Sequence, residues 1–420
     1  MKIAFVNQPS TPAVPVKGCD SLGIWTYRVA LRLSSSNEVI FYGKKPPKFK
    51  ENPAKVISYS EEGIEYRGIS PSSLDNRLKV LRVLDRYKII NPKRPIFASK
   101  FYNLGHIRDI SQDLKQQHCH LIHLHNYSQF VPIVKQQNPK SKVVLHLHCE
   151  WLTQLDRNPI AKRLSQTDLV LGCSEYITQK IRDRFPEYAN RCQTVFNGVD
   201  TDYFSPAVQS DALNKPKKQL LYVGRVSPEK GVHVLISAFN IVAAKDPEVQ
   251  LKIVGPEAVP GQELLVRLSD EPQVLALKRF YSGSYLQQLK AAILPEFKDR
   301  VVFTGGVPHL KLPEIYQESD ILINPSLSEA FGMSLVEAMA TETPVIGARV
   351  GGMQDVISEG KTGLFFESNQ PAELADAILK LLNDEPLRQS MGKVGRERVL
   401  EYFSWEKVAQ SLEKHYQSIA

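Results

Sequence analysis

The stretch Ser326–Ala340, SLSEAFGMSLVEAMA, decides the fold. It follows an apolar run, Asp320–Ile323 (DILI), which reads as a buried strand stopped by Asn324 and Pro325. Leu335, Val336, Ala338, Met339 and Ala340 are helix formers or core residues. A helix is therefore predicted to start between Phe331 and Ser334 and to run through Ala340. A strand, a short loop and a helix N-terminus make an anion site in an α/β protein, because several backbone N–H groups point one way without partners. Gly332 leaves room for close approach. Glu329 lies in the loop and Glu337 just over one turn into the helix. A phosphate on the amides would have one carboxylate at each end, one for hydroxyls of a sugar and one for those of a ribose. The plainer alternative is a core-packed helix carrying two solvated glutamates.

The same strand–loop–helix rhythm extends on both sides. Gln219–Val223 reads as a strand, followed by Gly224–Gly231 (GRVSPEKG) and a helix over Val232–Ala244. Val249–Val254, Arg300–Phe303, Pro344–Ile346 and Gly363–Phe366 read as further strands, and the insert 257–296 as mostly helical. In the first half, Lys2–Asn7 (KIAFVN) is a buried strand, then a loop, a helix over Ile24–Leu33 and a strand over Glu38–Tyr42. The GxGxxG dinucleotide fingerprint is absent from that loop, where only Gly18 and Gly23 occur, which argues against a nicotinamide cofactor. Gly23 reads as a close-approach position at a helix start, or as a plain capping glycine. Residues 206–218 are polar and proline-containing, as an interdomain linker is. The expectation is an α/β protein of two Rossmann-like doubly wound domains facing across a cleft, 1–205 and 219–399. A C-terminal helix, about 400–420, would pack back on the first domain, with Trp405 and Tyr416 as its apolar anchors.

Length and composition agree with this. The chain has 420 residues, 42% of them apolar, enough for two cores. The formal charge of +8 is modest and suits a sugar-phosphate or an anionic membrane face as well as nucleic acid. No helix-turn-helix, zinc-finger or RNA-binding aromatic pattern occurs, so nucleic acid is not expected as a partner. Five scattered cysteines without a CxxC pair read as reduced thiols of a cytoplasmic protein. The start, MKIAFVNQP, enters a strand at once, and no run of about 18 apolar residues occurs. Any membrane contact would be peripheral, on the inner face. Residues 77–90 supply the candidate: Leu81, Leu84 and Tyr87 share one helical face, and Lys79, Arg82 and Arg86 another. Such a helix lies on anionic lipid, or it simply presents a solvated basic face.

Six of the ten histidines lie between His118 and His148. In HLIHLH (His120–His125) and VVLHLH (Val143–His148), strand alternation puts His123 with His125, and His146 with His148, on shared faces. A metal is the tempting reading, but no carboxylate or cysteine completes a recognisable ligand set, although Cys149 and Glu150 are adjacent. Parallel strands end at the ligand crevice, so histidines there need not ligate. Asp200-Thr201-Asp202 resembles a metal-holding DxD triplet, yet its place after Asn197-Gly198 favours a turn.

Arg225 and Lys230 follow the first strand of the second half. Two cations beside an anion-binding helix start suit a diphosphate, and they would stabilise the charge that appears when its bond to a sugar breaks. GRVSPEKG (Gly224–Gly231), FTGGVP (Phe303–Pro308), SEAFGMSLVEAMA with its E-x7-E pair, NGVDTDYF and GGMQDVISEGKTGLF (Gly351–Phe365) resemble the retaining glycosyltransferases of family four, which have the GT-B fold. The likeness is specific over the second half. It is looser in the first, where SLGIWTY, LHNY and LHLHCEW match.

The resemblance implies a role for each matching residue. Arg225 and Lys230 hold the donor diphosphate, and Phe331, Gly332, Met333 and Ser334 offer backbone N–H groups to phosphate. Glu329 binds donor-sugar hydroxyls, Glu337 binds the ribose, and the backbone near Val307 flanks the base. His148 lines the reaction centre, with His125 on the acceptor side, and Gly23 lets its loop approach the donor. The family's paired glycines at that loop are here Leu22-Gly23. The implied activity is retaining transfer from a UDP- or GDP-sugar to a hydroxyl of a glycan or lipid-linked acceptor, in polysaccharide or glycolipid biosynthesis, without cofactor or metal. A sugar-nucleotide epimerase of the same architecture and a non-catalytic carbohydrate-binding protein are the rival readings.

Overall fold

The computed structural model describes residues 1–15, 21–78, 80, 91–207, 218–262 and 265–420. Two compact units result: Met1–Asn197 with Trp405–Ala420, and Gly198–Ser404.

The first unit is built on eight strands: β1 (Lys2–Val6), β2 (Glu38–Lys44), β3 (Val56–Glu61), β4 (Ile64–Ile69), β5 (Leu121–His125), β6 (Lys142–Leu147), β7 (Leu169–Gly172) and β8 (Cys192–Thr194). Their order is β3-β4-β2-β1-β5-β6-β7-β8. All neighbours are parallel except β3 and β4, which form an antiparallel hairpin. That hairpin is absent from the sequence reading, although Glu62-Gly63 between two alternating runs is a recognisable two-residue turn. The central strands are apolar throughout because helices cover both faces, so Ile3–Val6 and Val143–Leu147 are buried without alternation. Helix Ser21–Leu33 packs Trp25, Val29, Ala30 and Leu33 into this core.

The C-terminal helix Trp405–Gln417 belongs to the first unit, where Trp405, Val408, Leu412 and Tyr416 join the cluster formed by Phe5, Trp25 and Leu33. It is pinned by an ion pair between Arg32 and Glu406 (2.8 Å) and by a buried hydrogen bond between Tyr416 Oη and His123 Nδ1 (2.6 Å).

The second unit has β9 (Lys218–Val223), β10 (Val249–Val254), β11 (Val301–Gly305), β12 (Ile321–Asn324), β13 (Val345–Ala348) and β14 (Gly363–Phe366), all parallel, in the order β11-β10-β9-β12-β13-β14. The chain winds outward from β9 to β11, then returns to the other side of β9 to start β12. That reversal is the topological switch point, where α/β sheets open a crevice beyond their C-terminal strand ends. In the first unit the equivalent reversal lies between β1 and β5.

The division falls at Asn197/Gly198, earlier than the expected end at 205. Residues 198–204 are held by the second unit. Val199 N–H donates to Phe403 O (2.8 Å), Arg396 donates to Phe204 O (3.2 Å), and the Phe204 ring packs on Tyr316 (centroids 6.0 Å). The expected linker 206–218 lies outside the described residues apart from its ends, as does the basic helix 77–90 apart from Arg77, Leu78 and Val80. Among the described residues, no helix is long and apolar enough to cross a membrane. The insert 257–296 holds short helices, Pro272–Leu275, Ala276–Tyr281 and Tyr285–Ala292; Val266, Val274 and Leu277 bury Leu327 of the loop after β12.

Candidate active site

Three loops meet beyond the C-terminal ends of β9, β12 and β13. Leu327 N–H donates to Glu229 O (2.8 Å), joining the β12 loop to the β9 loop, and Gly352 N–H donates to Glu329 O (3.0 Å), joining it to the β13 loop. Asn324 ends β12 and organises the loop after it. Its Oδ1 accepts from Ser326 N (3.2 Å) and Oγ (2.7 Å), while its Nδ2 donates to Ser334 Oγ (3.3 Å).

The helix Met333–Ala340 starts where the sequence places it. Gly332 is its N-cap, at φ 104°, ψ 57°, a left-handed conformation that a side chain disfavours. No side chain caps this end. The N–H groups of Leu335 and Val336 reach back to Gly332 O, so the amides of Met333 and Ser334 are the first-turn donors that helix geometry leaves over. Phe331 differs from expectation, because its N–H is engaged by the Glu329 carboxylate. Its ring is buried edge-on against Phe403 (5.6 Å).

Lys230 and Glu329 form an ion pair of 2.7 Å across the two loops, both largely shielded from solvent. Burial alone would raise the Glu329 carboxyl. Lys230, the Phe331 N–H and Asn324 outweigh it and hold the group below the usual carboxylate range. Arg225, half exposed, donates to the buried Glu229 Oε1 (3.2 Å), which also accepts from Ser227 Oγ (2.7 Å). Glu229 sets the direction of Arg225. Sequence reasoning misses it, although it lies inside GRVSPEKG between the two cations.

Glu337 is buried, with Tyr316 Oη donating to Oε2 (2.7 Å) and His309 Nε2 facing Oε1 (3.4 Å). It is a held carboxylate rather than a solvated one. Tyr316 and His309 are invisible in the sequence because they come from another helix and turn. Val307 is half-buried in the loop between β11 and the turn His309–Lys311. Tyr316→Phe should cost about 1–3 kcal/mol by leaving Oε2 short of a donor; thermal unfolding checks it, and an unchanged midpoint would mean that water serves Oε2 equally well. The Asp200 of the DxD triplet caps a turn, its Oδ1 accepting from Tyr203 N (3.1 Å).

Gly23, His125 and His148 lie in the first unit. Gly23 is buried inside helix Ser21–Leu33 rather than in the loop before it. His125 ends β5; its Nε2 is 3.1 Å from Thr26 Oγ1, which donates to Asn7 Oδ1 (2.7 Å) or Leu22 O (3.0 Å), and its Nδ1 is 3.1 Å from His148 Nε2. His148 Nδ1 lies 3.1 Å from Asn197 Oδ1, and its backbone N–H donates to Asn126 Oδ1 (2.8 Å). Burial lowers the His148 pKa to about 4 despite the Asn197 contact, and it pushes His125 well below the usual imidazole range, so both rings are neutral at pH 7. With each ring nitrogen already partnered, His148 is built to be held in place. The structure thus gathers Arg225, Lys230, Glu329, Met333, Ser334 and Glu337 around one switch point, and His125 and His148 beside another.

Two family models match the chain: "Glycosyl transferases group 1" over residues 206–398 and "Glycosyltransferase Family 4" over residues 56–203. Spore coat protein SA of Bacillus subtilis is 26% identical over 99% of both chains. D-inositol 3-phosphate glycosyltransferase of Corynebacterium urealyticum is 27% identical over 63% of this chain and 61% of its own length. Among solved structures, Anabaena HepE in complex with UDP-glucose superposes with a TM-score of 0.67 over all of both chains at 18% identity, a likeness of fold.

Proposed function

Because the chain belongs to the group 1, family four glycosyltransferases and has their GT-B architecture of two Rossmann-like units, we propose that it moves a sugar from a nucleotide-diphosphate sugar to a glycan or lipid-linked hydroxyl with retention at the anomeric carbon. One observation carries the reading of the donor. Arg225, Lys230 and the open start of helix Met333–Ala340 stand on loops that interlock at a single switch point, with Glu329 and Glu337 to either side. Positive groups of three kinds, guanidinium, ammonium and amide, suit two linked phosphates. The two carboxylates suit hydroxyl groups, which donate to them. The bound UDP-glucose of Anabaena HepE supports a UDP-sugar as the first donor to try.

In this reading Lys230 leaves Glu329 when the donor enters: the ammonium turns to the diphosphate and the carboxylate accepts from the sugar. The leaving diphosphate gains charge as the anomeric bond breaks, and Arg225, Lys230 and the helix amides stabilise that charge more in the transition state than before it. Same-face attack by the acceptor then needs no carboxylate nucleophile and no metal at the diphosphate. Polysaccharide or glycolipid assembly is the setting that fits, with peripheral contact to a membrane as its extension.

A panel of UDP- and GDP-sugars, read by thermal stabilisation and slow hydrolysis, tests the donor. Proton spectra of the released sugar test the stereochemistry, an α-linked donor giving the α-anomer first. Conversion of the donor to its epimer without acceptor would favour an epimerase, and sugar binding without nucleotide affinity a carbohydrate-binding protein. His148→Ala should lower turnover more than His146→Ala; small, equal effects would remove His148 from the reaction centre.

A further inference from the structure

The first unit holds a cluster that the donor reading does not use. His123 and His125 project from β5 and His146 from β6, and the strands are in register with His125 opposite His146. Alternation therefore brings all three rings to one face of the sheet. One nitrogen from each ring lies within 4.8 Å of the other two. The residues are 0, 2 and 0% exposed. Trp25 closes over them, its ring 5.7, 5.3 and 4.9 Å from those of His123, His125 and His146.

His123 Nε2 has no hydrogen-bond partner, and of the two His146 nitrogens only one is engaged, weakly, by the Val195 backbone. Buried polar atoms in folded proteins find partners, so unpartnered nitrogens on two adjacent rings call for an occupant. The Tyr416 hydroxyl holds His123 Nδ1 at 2.6 Å. With Nδ1–H donating to that hydroxyl oxygen, the lone pair of His123 Nε2 is left free for a metal.

We propose that His123, His125 and His146 form a structural site for one first-row cation, with zinc the foremost candidate, tying β5 to β6 beside Trp25. Imidazole donors select zinc, nickel or copper over magnesium and calcium. The sequence alone argues against a metal for want of a carboxylate or cysteine, but three imidazoles also hold zinc when a water or another donor completes the fourth position. His125 gives up one of its two hydrogen bonds, to His148 or to Thr26, when the ion binds.

A buried site fills as the chain folds, so the test supplies metal during synthesis. The tag-free chain is produced in zinc-supplemented medium, dialysed against EDTA and analysed for metals. About one zinc per chain is expected. His146→Gln should carry at least tenfold less. Should that variant fail to fold, the wild-type chain is refolded with cobalt(II), and the visible absorption of a tetrahedral nitrogen site is expected. Less than about a tenth of a zinc per wild-type chain, equal zinc in wild type and His146→Gln, or a cobalt spectrum of the hydrated ion would overturn the proposal, leaving the orphan nitrogens to water.

Discussion

Arg225→Ala is expected to keep the fold and to lose about 100-fold in turnover, the effect of removing about 3 kcal/mol of charge stabilisation from a transition state. The structure makes this the cleaner of the two cation tests. Arg225 is half exposed, and Glu229, to which it donates, retains the hydroxyl of Ser227 when the guanidinium is gone. The loss should fall on kcat as well as kcat/KM, since the interaction strengthens when the leaving diphosphate gains charge. Near-normal turnover would remove the guanidinium from the reaction. Lys230→Ala should be as slow but should also unfold more readily. Its ammonium is the countercharge of the largely buried Glu329, and stripping one partner from such a pair costs on the order of 3 kcal/mol. That corresponds to roughly 6–12 °C in the midpoint of a unit of this size. The pH dependence carries the same signature. A carboxyl held below its unfolded pKa stabilises the fold above that unfolded value and loses its contribution as pH falls through the folded value. In the wild type this loss therefore sits below the usual carboxylate range. In Lys230→Ala, burial is no longer opposed by the ammonium, so the Glu329 carboxyl should move up and the acid limb of the stability curve shift toward neutral pH. Lys230→Ala with Glu329→Gln should recover the stability but not the turnover, which separates the role in folding from the role in transfer.

The second unit is legible in the sequence because its signals are local. Strand runs, the glycine before the helix and the GRVSPEKG and SEAFGMSL loops each announce an element within a few residues, and parallel strands buried on both faces read as unbroken apolar runs. What the sequence hides is whatever depends on two distant segments meeting. Glu337 reads as a carboxylate that could be solvated, and it is the partner of Tyr316, twenty-one positions earlier. Lys230 and Glu329, assigned separate ligands, are bonded to each other across 99 positions. The histidine runs are strands, as expected, but periodicity says only which residues share a face of one strand. It does not say that β5 and β6 are neighbours with His125 opposite His146, which converts two HxH pairs into one buried cluster. The end of the first domain is expected too late because NGVDTDYF follows β8 without a break in composition, while its holding contacts come from Phe403 and Arg396 near the other end of the chain.

Gly351→Ala should abolish measurable donor binding and lower the stability of the second unit, although residue 351 offers no side chain to any ligand. Its φ is 55°, in the left-handed region, and a Cβ built there would overlap the carbonyl oxygen of Glu329. The left-handed backbone costs an alanine about 1–2 kcal/mol. The overlap adds to this, because the obstructing atom is backbone and cannot rotate away. Relief requires the β12 and β13 loops to part, which breaks the Gly352 N–H to Glu329 O bond and carries Glu329 away from Lys230 and from the start of helix Met333–Ala340. Displacements on the order of 1 Å in such a constellation cost about 100-fold in rate. Gly360→Ala is the matched control: φ there is 71°, and nothing lies within 4 Å of the added carbon. It should bear the cost of the backbone conformation alone, about 1–2 kcal/mol, with donor affinity unchanged. Titration with a UDP-sugar and thermal unfolding of both variants decide the matter. If Gly351→Ala binds donor as tightly as Gly360→Ala does, the position of the Glu329 loop does not govern the donor site, and the assignment of Glu329 to the sugar fails with it.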